Sequence, residues 1–244
     1  MLPRFNIILL ILIFNTSFSQ DLEKEELKYA KEASIGINTN TNGGLISGIN
    51  LRFTQQTAKN KFNLFSLEFV NVKHEKEILD DTQAGGTYIP WKIKHLLAFR
   101  PSYGKEITLF NKYSENGVRV NFTYSAGPTL GFVKPYMIEW IEGKDAFQND
   151  IISVVPYNPN IHNFSNIENG LGIFNSFQLA KLNVGAHART SFNFEYGPEN
   201  YFKLGLETGT TFEAYSKKNR LYYNSAPRWL YSAFFLHLYY GLSF

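Results

Sequence analysis

Hydrophobic and polar side chains alternate along the last sixteen residues of the chain, Trp229 to Phe244. Leu230, Phe234, Leu236, Leu238, Tyr240, Leu242 and Phe244 fall on one side of an extended backbone. Tyr231, Ala233, Phe235, His237, Tyr239, Gly241 and Ser243 fall on the other. A period of two predicts a β-strand, because successive side chains of a pleated backbone point to opposite faces. Strands of globular sheets usually run to about 5–6 residues, whereas a tilted strand needs about 9–11 to cross a bilayer. One such strand would also suit the edge of a soluble β-sandwich. The pattern recurs, however. Val118, Val120, Phe122 and Tyr124 alternate with Arg119, Asn121, Thr123 and Ser125, and Lys181 to Tyr196 alternates throughout.

Taken in order, the chain offers further strands at Ala33–Thr39, Leu45–Thr54, Asn63–Lys73 and His95–Gly104. A weaker one lies at Gly170–Ser176, and another carries Phe202, Leu204, Leu206 and Phe212 on its outer face. Asn42-Gly43 is a hairpin signal, since both residues accept a positive φ. Thr54 to Lys61, Lys105 to Gly117 and the mixed stretches 74–92 and 139–169 read as loops, with the alternative that the fourth strand extends in part through Phe110, and Gly127-Pro128 reads as a bend. This totals nine strands. A bacterial single-chain barrel needs an even number, so the expectation is an all-β, antiparallel transmembrane β-barrel of eight to ten strands over 33–244. The stretch Gly127 to Trp140 could hide a tenth strand, and the first or sixth strand could lie partly outside the barrel.

Such a barrel predicts its own interior. Arg52, Arg100, Arg119, Arg189 and Lys203 would point inward, as would Glu68, Glu195, Glu207, Glu213, His187 and His237. Charges in a narrow lumen lose water and must pair, and about eight strands leave just enough room for side chains to fill. A salt-bridged, plugged lumen is the expectation, with a small polar channel as the alternative.

The N-terminus adds a compartment. Arg4, the apolar run Ile7 to Phe14 and the small residues Ser17 and Ser19 make a signal peptide over 1–19. A charged lead-in (20–32) then precedes the barrel in the periplasm. Without Arg4, 23 basic residues face 21 acidic ones, a net charge of +2 that gives no reason to expect nucleic acid. The absence of cysteine excludes disulfides, thiolate metal sites, cysteine nucleophiles and a lipoprotein anchor. A mean hydropathy of −0.23 does not argue against a membrane location, because every second residue of a barrel strand faces inward.

Candidate chemistry is sparse, and no cofactor is expected. His74 beside Glu75 and Glu77 could hold a divalent ion, although a solvated loop explains it as well. His187 and Ser191 share an inward face two positions apart, too far for a direct hydrogen bond. Gly43-Gly44 and Gly85-Gly86 read as turns. Trp91, Tyr103, Tyr113, Tyr136, Trp140, Tyr196, Tyr201, Trp229 and Tyr231 near predicted strand ends suggest interfacial girdles.

The closing aromatic strand, with Tyr240, Gly241, Leu242 and Phe244, resembles the signal by which barrel-assembly machinery recognises outer-membrane barrels. The segments Gly36 to Gly43, Phe69 to Glu77, Gly131 to Tyr136 and Asn158 to His162 resemble a group of uncharacterised outer-membrane β-barrel proteins of Bacteroidota. That resemblance implies an integral outer-membrane protein in contact with outer-membrane lipid, and no assigned catalytic residue. Three roles are open: a non-enzymatic structural or accessory subunit of a larger outer-membrane complex, a small passive pore for hydrophilic solutes, and a membrane-embedded lipid- or peptide-modifying enzyme.

Overall fold

Eight long strands close on themselves in a computed structural model that describes residues 31–112, 117–197 and 202–243, with Leu45 described by its backbone only. They are β1 (Lys31–Asn40), β2 (Gly44–Ala58), β3 (Lys61–Val72), β6 (Lys94–Phe110), β7 (Arg119–Pro135), β11 (Lys181–Tyr196), β12 (Phe202–Asn219) and β13 (Arg228–Ser243). Each is antiparallel to both neighbours, in the order β1-β13-β12-β11-β7-β6-β3-β2. Two excursions leave this meander. The first, between β3 and β6, holds the small hairpin β4 (Asp80–Asp81) and β5 (Thr87–Tyr88). The second, between β7 and β11, holds β8 (Met137–Lys144), β9 (Asp150–Pro156) and β10 (Ile167–Gly170), a separate sheet ordered β10-β8-β9. No helix among the described residues is long and apolar enough to cross a membrane.

The burial pattern turns a soluble protein inside out. Ile49, Leu51, Phe65, Leu67, Phe192, Leu206, Phe212, Leu236 and Leu238 point outward and are 39–53% exposed. Inward neighbours such as Asn50, Arg52, Ser66, Glu68, Ser191, Asn193, Glu207 and His237 are buried. Soluble monomers rarely expose apolar patches beyond a few hundred Å². A closed apolar wall around a polar interior is the form a barrel takes in lipid, where every backbone N–H must find a partner strand. The protein is an integral outer-membrane β-barrel. Both described chain ends lie on one rim, with short returns such as Lys59-Asn60, where Asn60 takes a φ of 63°. The long excursions leave the opposite rim. By the rule of short periplasmic turns and long outer loops, that rim is extracellular.

Several boundaries differ from the sequence reading. Strand β2 runs on through Thr54 to Ala58, and β1 begins at Lys31 inside the expected lead-in, while β6 takes the alternative extension through Lys105 to Phe110. These rim residues are polar because they lie beyond the hydrocarbon, not because the strand has ended. Gly127-Pro128 does not end β7. Pro128 stands opposite Pro101, and the β6–β7 ladder is interrupted between Phe99–Leu130 and Tyr103–Ala126 without a change of register, because neither proline offers an N–H. Gly170–Ser176 is not a barrel strand, which removes the odd ninth, and the stretch 139–169 is not a plain loop, since it carries most of β8, all of β9 and the start of β10. In the β1–β2 turn only Gly44 has a positive φ (83°), whereas the Asn42 N–H donates to Asn40 Oδ1 (2.9 Å). The expected signal peptide, the rest of the lead-in, Tyr113, Tyr201 and Phe244 lie outside the described residues.

Candidate functional site

Two regions gather the polar chemistry: the lumen and the extracellular cap. The alternation that sends apolar groups to lipid sends one charged layer after another inward. Near the periplasmic rim, Arg119 and Lys203 hold Glu32, and Arg119 also holds Glu195. Tyr239 donates its hydroxyl toward Asn193 (2.8 Å) and Glu195 (2.9 Å). At mid-height Arg52 bridges Glu106 (2.6 Å) and Glu207 (3.0 Å), and Glu207 also takes Ser191 (2.6 Å) and His237 Nδ1 (3.2 Å). Higher up, Arg100 grips Glu213 with two donors (2.8 and 2.7 Å) and reaches Glu68 (3.0 Å), which Arg189 shares (3.0 Å). His187 Nδ1 meets Thr129 Oγ1 at 3.0 Å.

All eleven expected lumen residues therefore face inward, and apart from His187, which sits on Thr129, they form two ion-pair groups, linked by Asn193 Nδ2, which donates to Glu106 (3.4 Å) and to Glu195 (3.2 Å). The sequence reading left out Glu32, Glu106 and Asn38, and it set Tyr239, Asn121 and Asn193 on the inward alternation without counting them in the polar network. Glu106 was legible: it continues the inward series Arg100, Ser102, Gly104, but sits beside Lys105 in what reads as a loop. Glu32 likewise continues Ser34, Gly36 and Asn38. With them, six carboxyl groups (Glu32, Glu68, Glu106, Glu195, Glu207, Glu213) face five basic groups (Arg52, Arg100, Arg119, Arg189, Lys203). Gly205 has a specific task. A Cβ there would meet the Tyr239 ring at 2.0 Å, so glycine lets that ring lie flat across the lumen wall.

Both ends of this network are covered. Phe62 and Leu64 point inward near the periplasmic rim, with Arg119 over the Phe62 ring at 5.5 Å. Toward the cap, Val70, Val72, Leu96, Ala98, Tyr215 and Leu221 form an apolar cluster across the lumen. Each carboxylate is engaged by a cation. Ser191 is spent on Glu207 and His187 on Thr129, so neither forms half of a nucleophile–base pair with the other.

The cap is knit across its loops. Ile93 N–H donates to Leu221 O (2.9 Å), Tyr223 N–H to Trp91 O (2.8 Å), and Tyr157 N–H to Tyr136 O (2.8 Å). Tyr88, Tyr136, Ile138, Tyr157 and Ile167 make a second apolar core. Burial pushes the Tyr136 phenol up to about 12. Lys92 pairs with Glu77 beneath the loops, and burial lowers its ammonium below the ordinary lysine range. Glu77 also accepts the His74 N–H (2.9 Å), which diverts it from the divalent-ion arrangement considered above. Tyr136 and Trp140 belong to this cap rather than to a girdle, and Tyr103 lies mid-strand because β6 continues past it. Trp229 and Tyr196, about half exposed near opposite strand ends, fit the girdle reading.

No protein family matches the sequence, and no curated protein matches it. Solved structures align with the chain at low similarity. Ail, the attachment invasion locus protein of Yersinia pestis, aligns at a TM-score of 0.39 and 10% identity over 89% of this chain and 100% of its own. Ail in complex with the heparin analogue sucrose octasulfate aligns at 0.37 and 10% over 88% and 97%. Neisserial surface protein A aligns at 0.37 and 10% over 88% and 96%.

Proposed function

We propose that this outer-membrane barrel is a non-enzymatic structural or accessory subunit that works through its extracellular cap. The observation that carries this reading is the filled lumen. Among the described residues the interior is crossed by ion pairs, with apolar side chains over both ends, which supports a plugged lumen over a passive pore. A pore of porin type needs about 16–18 strands. The cap, by contrast, spends two excursions on a compact, cross-linked surface beyond the membrane. Its 137–180 excursion carries Glu139, Glu142, Asp145, Asp150 and Glu168 against Lys144 alone, a net charge of 1 − 5 = −4. That surface suits a partner protein with a basic face.

The test is gentle detergent extraction of the tagged protein from its native membrane, with size measurement and mass spectrometry. A stoichiometric companion supports the reading, and charge reversal at Glu139 and Glu142 should weaken its retention. A lone monomer together with stepwise conductance in a planar bilayer would replace the subunit reading with the pore.

A further inference from the structure

A closed barrel has no strand edge, but the separate sheet of the second excursion has two. The order β10-β8-β9 puts β10 on one side and β9 on the other. The β10 side is covered by the first excursion: Thr82 Oγ1 donates to Glu168 O (2.9 Å), and the Thr87 N–H donates to Asn169 Oδ1 (3.2 Å). The β9 side is open. Among the described residues the main chain from Asp150 to Pro156 hydrogen-bonds only to β8.

The register decides which groups this edge presents. The Tyr157 N–H donates to Tyr136 O, and Met137 O accepts from the Leu171 N–H on the other flank of β8. Hydrogen-bonded and non-bonded pairs alternate along an antiparallel ladder. Ser153 and Val155 therefore turn their main chain toward β8, and Ile152, Val154 and Pro156 turn theirs outward. Pro156 has no N–H to offer and falls where a strand tolerates proline. Val155 packs on the tyrosine core, whereas Ile152 and Val154 lie on the opposite face, 49% and 51% exposed. Edges are ordinarily guarded by lysine, by a bulge in the edge strand or by shortness. Strand β9 has seven residues and no lysine, and the bulge lies in β8, between Ile141 and Gly143.

The surrounding charge selects the occupant. Asp150 lies in the edge strand and is held by Lys144 only at 3.9 Å, between exposed side chains. Glu139 stands opposite Val154 and shares its face. Edge-to-edge pairing of two copies would lay two acidic excursions side by side, which like-charge repulsion opposes. An extended segment carrying arginine or lysine brings the opposite sign. We propose that β9 accepts a β-strand from a partner protein: an extended basic segment whose main chain pairs with Ile152 and Val154 and whose cationic side chains reach Asp150 and Glu139. This rests on the reading of the cap as the surface that meets a basic partner, and adds the mode of recognition and the residues that carry it.

The experiment uses the folded full chain in detergent micelles. The probe is a synthetic peptide with arginine at each end of a run alternating valine and threonine; its fully N-methylated analogue keeps the charge and loses the main-chain donors. Residue-resolved amide hydrogen exchange reads the edge, and fluorescence anisotropy of the labelled peptide reads affinity. Without peptide, the Ile152 and Val154 amides should exchange about tenfold or more faster than those of Ser153 and Val155. The peptide should bind saturably, one per chain, and slow Ile152 and Val154 by about tenfold or more, and the N-methylated analogue should do neither. Val154→Pro removes one outward N–H at a position where an edge strand tolerates proline, and should weaken binding about tenfold. Asp150→Lys with Glu139→Lys should weaken it by about tenfold or more, and Val154→Thr should leave it unchanged. Heat-modifiable gel mobility verifies that each variant is folded. Equal binding of the N-methylated analogue, unchanged exchange at Ile152 and Val154, or full binding by Val154→Pro would overturn the proposal. So would a dimer of the parent that Val154→Pro dissolves, which would assign the edge to a second copy. The two readings fail separately. A native companion that survives Val154→Pro but is lost on charge reversal at Glu139 and Glu142 keeps the cap reading and overturns the edge. The exchange and peptide pattern without any native companion supports the edge and removes the subunit role.

Discussion

Replacing Arg100 by leucine should strand a carboxylate. Arg100 donates to Glu213 from Nε (2.8 Å) and Nη2 (2.7 Å), and to Glu68 from Nη1 (3.0 Å). The consequences for these two partners differ. Glu68 keeps Arg189 at 3.0 Å and the Asn38 amide. Glu213 has no other cation within ion-pair distance among the described residues, and it is 2% exposed. Removing one partner of a buried pair typically costs about 3–5 kcal/mol, because the remaining charge is left uncompensated. With a urea dependence of about 1–3 kcal/mol per molar, the unfolding midpoint should fall by roughly 1–5 M. The double variant Arg100→Leu/Glu213→Leu removes both charges and should recover to within about 2 kcal/mol of the parent, since buried pairs are often replaceable by apolar groups. Reversible urea unfolding in phospholipid vesicles, followed by tryptophan fluorescence, measures both. A single variant costing under about 1 kcal/mol, the range of an exposed pair, would refute the reasoning. A double variant no better than the single one would refute it equally.

Other expectations follow from the same structure. Gly205→Ala should destabilise by about 1–3 kcal/mol, since its methyl group displaces the Tyr239 ring. Tyr239→Phe, which loses the hydroxyl bonds to Asn193 and Glu195 but keeps the ring, should cost about 1 kcal/mol per bond in the same unfolding assay. Leu238→Arg, within the lipid-facing band, should cost about 2–4 kcal/mol, whereas Leu242→Arg at the rim should cost about 1 kcal/mol or less, measured in vesicles. Alkali should open the cap before the barrel. The Tyr136 phenol is raised to about 12 from the ordinary 10, so its contribution is complete below pH 10 and is lost as pH rises through 12. Tyrosinate absorbance and near-ultraviolet circular dichroism should change across that window while far-ultraviolet dichroism and gel mobility persist.

The barrel was legible because lipid imposes a strict rule on sequence. Where both faces of a strand are specified, as in Lys181–Tyr196 with apolar groups outward and Asn183, His187, Arg189, Asn193 and Glu195 inward, alternation gives type, bounds and orientation together. The rule lapses at the rims. Glu32, Glu106 and Thr54 sit in strands whose outer neighbours have left the hydrocarbon, so their segments looked like loops. In the excursions it lapses altogether. Strands β8, β9 and β10 are short and pack on a core of tyrosines drawn from separate loops, a contact no local pattern encodes.

The sequence by itself determined that the chain forms a lipid-facing barrel and which charges enter its lumen, because side-chain period is a local consequence of backbone geometry. Which charge meets which was decided only by tertiary structure. Arg100 reaches Glu213 across 113 residues and Arg52 reaches Glu207 across 155, through strand order, register and closure.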